Sequence, residues 1–279
     1  KAWASGFESY EKNGNIFFDK DKELSEQIED FQLVMFRPDP PVDLDYINAT
    51  YILDFVDRNK TFIMNETSAI RNFNEKFHIN YFPEYVPENI ITSSTDLIMQ
   101  FVQERKEAIL KPLNRCFGSG VYYLNNDDKN LLTIIKNMTD EEKTQVMVQE
   151  YLPDAKFGDK RVLIIGDKVM KECIQKLPAE HNFKFAQHSD QYFRKTILTD
   201  NERKMAESIA KKLSKIGLYL TGLDVINEKA IEINATSPCY FIREINQNYG
   251  IHFEDKIMTH LEALIEEHFE SLKQYALNR

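Results

Sequence analysis

This chain is short of glycine and cysteine and has no long apolar run, and each shortage narrows what it can be. Nine glycines in 279 residues, none of them between Gly166 and Gly217, leave no flexible linker or low-complexity arm, so any domains are closely packed. Three cysteines, Cys116, Cys173 and Cys239, are too few and too scattered for a disulfide framework. No Cys-x-x-Cys pair suggests zinc, and each cysteine reads as a small buried hydrophobe in a reducing, cytoplasmic setting. No apolar stretch approaches the ~18 residues of a membrane span, and no charged-then-apolar signal pattern opens the chain. Positive charge is in deficit, 35 Lys and Arg against 45 Asp and Glu for a net charge of −10, which argues against nucleic acid as the main partner while leaving room for local cationic pockets. The six histidines show no metal-binding spacing with one another or with cysteine.

What is present is a mixed strand and helix pattern. Residues 1–30 are polar, with a strand expected at 15–18 and a charged helix at 20–30. Phe31 to Phe36 reads as a strand stopped by prolines, and Asp43 as the cap of a helix whose stripe is Leu44, Ile47, Tyr51 and Phe55. A helix is expected from Ala69 to Phe77, another over 96–106, strands at 108–110, 121–124 and 146–151, and a hairpin of 161–165 with 168–173 around Gly166-Asp167. Thr199-x-x-Glu202 is a capping box that opens a helix ended by Gly217. Ile257, Leu261, Leu264, Ile265, Phe269 and Leu272 make the stripe of a final helix.

The densest information lies in Gly222-Leu-Asp-Val-Ile-Asn-Glu-Lys-Ala-Ile-Glu-Ile-Asn-Ala-Thr-Ser-Pro238. Two β-rich runs flank Asn227-Glu228-Lys229; with three residues in the turn, Asp224 lies opposite Glu232, and the period of two puts Asn234 on their face. Like charges across a ladder repel, so removing either carboxylate should leave metal-free stability intact or better. A divalent cation reverses that sign, and two carboxylates with an amide suit Mg²⁺. Spacing alone leaves a metal site and a solvated hairpin face both open.

Read as a motif, Gly222-Leu-Asp224 followed by Glu232-Ile-Asn-x-Thr-Ser-Pro238 and Ile242-Arg243-Glu244 resembles the C-terminal end of bacterial-type glutathione synthetases, which are ATP-grasp ligases. Further blocks keep the family's order: Arg37-Pro-Asp-Pro-Pro41, Asn74-Glu-Lys76, Leu110-Lys-Pro-Leu113, Gln149-Glu-Tyr-Leu-Pro153 and Gly158-Asp-Lys-Arg-Val-Leu163. The resemblance runs from about Phe31 to the chain end and implies an α+β ATP-grasp fold preceded by a partial Rossmann-like α/β domain, divided as 1–73, 74–148 and 149–279. It implies an ATP-dependent ligase joining γ-glutamylcysteine and glycine through an acyl phosphate, with Mg²⁺, or Mn²⁺ in its place; a homo-oligomer is compatible with it.

Carried over residue by residue, Lys76 and Lys111 contact ATP, Gln149, Glu150, Tyr151 and Leu152 hold the adenine, Asp159 lies near ribose and metal, and Gly118 and Gly120 allow approach to the phosphates. Asp224, Glu232 and Asn234 ligate metal, Arg161 and Arg243 act in catalysis, and Arg37 and Ser237 hold substrate; Arg37 alternatively pairs with Asp39.

The chain departs from the family's pattern in three places. Its first glycine-rich loop reads Asn114-Arg-Cys-Phe-Gly-Ser-Gly120, where Arg115 either contacts phosphate or plugs the site. The family's second loop, Arg-x-Asn and Gly-Gly-Arg-Gly, is replaced within 177–202, where Phe183, Phe185, Tyr192 and Phe193 favour an ordered lid and Lys184, Arg194 and Lys195 stand in for the arginines. The family's first strand and helix are expected to be missing, either because the chain is a fragment or because that piece lies outside this sequence. These departures keep two alternatives in play: a ligase of the same mechanism with another substrate pair, and a degenerate nucleotide-binding homologue acting as a scaffold.

Overall fold

The computed structural model describes residues 3–12, 15–115, 118–178, 192–239 and 241–277. The chain opens with an antiparallel hairpin of β1 (Trp3–Lys12) and β2 (Asn15–Gln27), so the charged helix expected over 20–30 is instead mostly strand; cross-strand pairing along β1 outweighs the local helical tendency. Next, β3 (Leu33–Met35) and β4 (Phe62–Met64) pair in parallel across the helix α1 (Leu44–Leu53), which Asp43 caps by accepting the Tyr46 N–H at 3.0 Å. The stripe read from the sequence faces outward: Leu44 is 78% and Phe55 81% exposed, while Tyr46, Thr50 and Leu53 are buried. Tyr46 is fixed inward by an edge-on contact with Phe36 at 5.0 Å, which decides the helix's rotation.

The helix expected over 69–77 stops early. It spans Thr67–Asn72 as α2, and the chain then turns because Asn74 Oδ1 accepts the Lys76 and Phe77 N–H groups, a local bond that competes with the helical ladder.

A four-stranded antiparallel sheet follows in the order β5 (Asn89–Thr92), β8 (Val146–Glu150), β6 (Glu107–Pro112), β7 (Tyr122–Asn125). Helices α3 (Thr95–Arg105) and α4 (Leu131–Met138) cover it, burying Ile98, Val102, Leu110, Leu124, Ile135 and Val148 in one core. The second large sheet runs β11 (Phe193–Thr196), β10 (Lys168–Lys176), β9 (Asp159–Ile165), β12 (Leu220–Ile226), β13 (Lys229–Asn234). Helix α5 (Asp200–Lys215) starts at the capping box read from the sequence, Thr199 accepting from Glu202 and Glu202 from Thr199. Helices α6 (Ile242–Tyr249) and α7 (Phe253–Leu277) close the chain, α7 burying Ile257 and Leu261 of its expected stripe. Asn65 binds the N-terminal layer to this sheet: its Nδ2 donates to Leu220 O at 2.8 Å and Ala235 O at 3.0 Å, and its Oδ1 accepts from Leu220 N at 2.7 Å.

Candidate functional site

Neighbouring strands bring charged side chains opposite one another. Asp224 of β12 lies opposite Arg161 of β9 on one side and Glu232 of β13 on the other, and Asp159 of β9 lies opposite Lys176 of β10. The Asp224–Glu232 pairing agrees with the sequence reading, but by another route. The turn holds two residues, Asn227 and Glu228, both at positive φ, and Ile231 bulges to restore the register.

Arg161 grips Asp224 with both ends of its guanidinium, Nε on Oδ1 and Nη2 on Oδ2 at 2.7 Å. Lys176 Nζ adds a second cation, 3.1 Å from Asp224 Oδ1 and paired with Asp159 Oδ2. Both cations lie over the Phe241 ring, at 5.2 and 5.4 Å. Burial alone would raise the Asp224 carboxyl, but Arg161 and Lys176 outweigh it and hold it well below the usual carboxylate range. Glu232 is held low in the same way, burial opposing and Lys76 prevailing. The simple repulsion expected between the two carboxylates is therefore answered by buried cations, and removing either would strand a positive charge.

The two lysines singled out from the sequence reach adjacent residues of β13. Lys76 Nζ lies 2.7 Å from Glu232 Oε1 and donates to Arg115 O at 2.8 Å, while Lys111 Nζ donates to Gln149 Oε1 at 2.8 Å and to Ile231 O at 3.5 Å. Burial pushes the Lys111 ammonium down to about 8. A cavity of about 140 Å³ opens beside Lys111, lined by Gln149, Glu150, Tyr151, Leu152, Asp159 and Lys176 among others. Gln149 Nε2 is buried there without a partner among the described residues, a donor left for a ring nitrogen or carbonyl oxygen. Apolar walls, an orphaned donor and an ammonium at one end fit a nucleotide base with phosphates beyond it.

Asn234 completes the oxygen set, its Nδ2 donating weakly to Gly222 O at 3.4 Å and Asp224 Oδ2 at 3.5 Å. Among the described residues no three His, Cys, Asp or Glu side chains gather as metal ligands; two carboxylates and an amide remain the donor set, which suits a hard divalent cation once the paired cations give way. Gly118 and Gly120 take positive φ, 66° and 74°, as a tight loop needs.

Other expected residues stand apart. Arg243 and Arg37 are exposed and Ser237 is half-buried, and none of the three lines a cavity described here; Thr236 does instead. Of the lid, residues 179–191, including Phe183, Lys184 and Phe185, lie outside the described residues. Phe193 is buried against Phe241 at 5.3 Å, Arg194 is exposed, and Lys195 lies over the Tyr249 ring at 4.4 Å.

Lys176 and Glu75 were not singled out in the sequence. A regular hairpin around Gly166-Asp167 would set Ile174, not Lys176, against Asp159; the register shift between Val169 and Cys173 makes the difference, and no residue pattern announces it. Glu75 accepts from Ala235 N at 2.7 Å, Thr236 N at 3.0 Å and Thr236 Oγ1 at 3.0 Å, tying down the turn after Asn234; its place inside Asn74-Glu-Lys76 was the available signal.

Residues 75–250 match the family model described as prokaryotic glutathione synthetase, ATP-grasp domain, and residues 2–71 match that of the N-terminal domain, so the likeness begins ahead of Phe31. The chain is 34% identical over 251 residues to the glutathione synthetase of Buchnera aphidicola subsp. Baizongia pistaciae, covering 90% of this chain and 77% of that one. The Synechococcus elongatus glutathione synthetase gives the same identity and coverage. Among solved structures, D-cycloserine synthetase superposes with a TM-score of 0.65 at 13% identity, covering 87% of this chain and 86% of that one. D-alanyl-alanine synthetase A of Vibrio cholerae gives 0.58 at 14%, covering 94% and 84%. At such identities these two speak for the ATP-grasp fold alone.

Proposed function

The chain belongs to the prokaryotic glutathione synthetase family of ATP-dependent ligases, and we propose that it joins γ-glutamylcysteine to glycine at the cleft between β6, β8 and the β12–β13 hairpin. The observation that carries this reading is the convergence of Lys76 and Lys111 on adjacent residues of β13, beside an apolar cavity holding the orphaned Gln149 donor. The base lies against Gln149–Leu152, and Lys111 and Lys76 meet the phosphates. The donor carboxylate attacks the γ-phosphorus and ADP leaves; the neutral glycine amine then attacks the acyl carbon, the carbon–oxygen bond to phosphate breaks with its electron pair going to the departing inorganic phosphate, and the nitrogen sheds one proton to that phosphate or to water. Little covalent work falls to the protein beyond positioning and charge.

Asp224, Glu232 and Asn234 would hold a divalent cation, Mg²⁺ or Mn²⁺, which supplies charge neutralisation on the phosphates. Arg161 and Lys176, both held at Asp224, stand ready to take phosphate oxygens as partners instead. The chain divides into units 1–73, 74–148 and 149–279, the second and third lining the cleft, with β8 running past their boundary to Glu150. A cytoplasmic setting, where ATP and thiols coexist, suits the reaction.

The test is phosphate release from MgATP with γ-glutamylcysteine, with and without glycine, set against tripeptide formed. Release needing both, at a ratio near one, supports this reading and a competent lid. Turnover with another pair supports a sister ligase, a reading favoured by Arg115 standing in the glycine-rich loop. Excess phosphate, or no product, speaks for a degenerate homologue.

A further inference from the structure

A second cavity, of about 200 Å³ and sharing no lining residue with the nucleotide cavity, lies between the proline segment at Pro40, the turn of Glu75, Lys76, the loop carrying Arg115, and Thr236. We propose that it takes the zwitterionic head group of an α-amino acid, with Arg115 holding the carboxylate and Glu75 the ammonium. The inference rests on the ligase reading only for which amino acid arrives.

The charges lining the cavity sort into committed and available ones. Arg71 is committed: its Nη2 lies 2.8 Å from Asp54, its Nη1 donates to Thr50 Oγ1 at 3.0 Å, and it covers the Tyr51 ring at 4.8 Å. Lys76 is committed to Glu232 and to Arg115 O. The Arg115 guanidinium, by contrast, has no ion pair among the described residues; its chain lies along Gly120, where an added Cβ would meet Nη1 at 3.3 Å. Arg115 is not among the residues lining the nucleotide cavity. Glu75 spends one oxygen: the three hydrogen bonds from Ala235 and Thr236 all fall on Oε1, and among the described residues Oε2 accepts none.

A ligand carrying only a carboxylate would face Glu75, and one carrying only an amine would face Arg115; a group bearing both signs satisfies each without a stranded charge. Size agrees, since a cavity of ~150 Å³ already takes a benzene. A planar guanidinium also matches a carboxylate by two parallel hydrogen bonds, which a lysine cannot reproduce. Two molecules of the proposed reaction carry this head group: free glycine, and the γ-glutamyl end of the donor.

Calorimetric titration of the full chain with glycine, γ-glutamylcysteine, glycine methyl ester and N-acetylglycine tests the assignment, in the wild type, Arg115→Ala and Arg115→Lys. At least one zwitterion should bind the wild type, about tenfold or more weaker to Arg115→Ala, with partial recovery in Arg115→Lys. Binding of γ-glutamylcysteine without glycine assigns the cavity to the donor, and the reverse to the acceptor; if glycine binds, its ester and its acetylated form should each bind about tenfold or more weakly. Equal affinity in Arg115→Ala, an ester that binds as well as glycine, or no binding of either zwitterion to the wild type overturns the proposal. ADP titration in parallel reads the nucleotide cleft: retained ADP affinity in Arg115→Ala shows that the variant is folded. Failure of the wild type to bind ADP would count against the ligase reading, whatever the amino acids do. Should Arg115→Ala lose ADP as well, Arg115→Lys and the ester decide.

Discussion

Lys176 Nζ stands 3.1 Å from Asp224 Oδ1 and pairs with Asp159 as well, so one buried ammonium joins two carboxylates carried by different strands. Arg161 grips the same carboxylate with both ends of its guanidinium, so the hairpin carboxylate is an anion held by two cations. That relationship reverses what repulsion across the ladder would suggest for mutations there.

Asp224→Ala is expected to lower MgATP-dependent turnover by at least about a hundredfold. It should also destabilise the metal-free protein by about 3–5 kcal/mol, because the buried Arg161 guanidinium loses both of its bonds to Asp224 while Lys176 keeps Asp159. Glu232→Ala should do the same to a lesser degree, its carboxylate being more exposed. Urea midpoints in chelator-treated buffer read this directly; an unchanged or raised midpoint would mean that the repulsion dominates after all.

Lys111 gives a pH dependence whose sign can be worked out. Burial holds its ammonium at about 8, below the unfolded value of about 10.5. Between those pH values the unfolded chain binds the extra proton, so this group adds stability as pH rises from 8 to 10.5. Lys111→Met should flatten that part of the stability profile and remove the decline in nucleotide affinity as wild-type Lys111 loses its charge through pH 8, at the cost of weak binding throughout. Parallel profiles for the two proteins would contradict the assignment.

Gly158 adopts φ +87°, and an added Cβ would fall 1.8 Å from the Lys176 carbonyl oxygen. Gly158→Ala should therefore cost roughly 2–3 kcal/mol and displace the strand that carries Lys176. Thermal melts and ADP affinity should both fall; loss of only a few tenths would show that the segment relaxes freely.

Thr199→Ala removes one half of the α5 capping box and should cost about 1 kcal/mol. Glu202→Ala should cost more, about 3 kcal/mol, since that carboxylate is buried and also pairs with Lys160 at 2.6 Å. Chemical denaturation of the two variants ranks them, and equal losses would reduce Glu202 to a cap.

What the sequence determined by itself is what local chemistry can encode. The Thr199 cap, the Asp43 cap, the Gly166-Asp167 turn and the strands of the two sheets other than β5 and β11 depend on neighbours a few residues away, and the motif blocks carry the family resemblance. Only the tertiary structure decided the rest. The outward rotation of α1 depends on Phe36 catching Tyr46, and the strand at 15–27 on a partner strand. Register is the deepest case: the bulge at Ile231 keeps Asp224 against Glu232, and the shift in β10 brings Lys176 to Asp159. A side chain's face along a strand changes with each residue inserted, so what a charge meets across a sheet is settled by pairing between strands and not by the residues beside it in the chain.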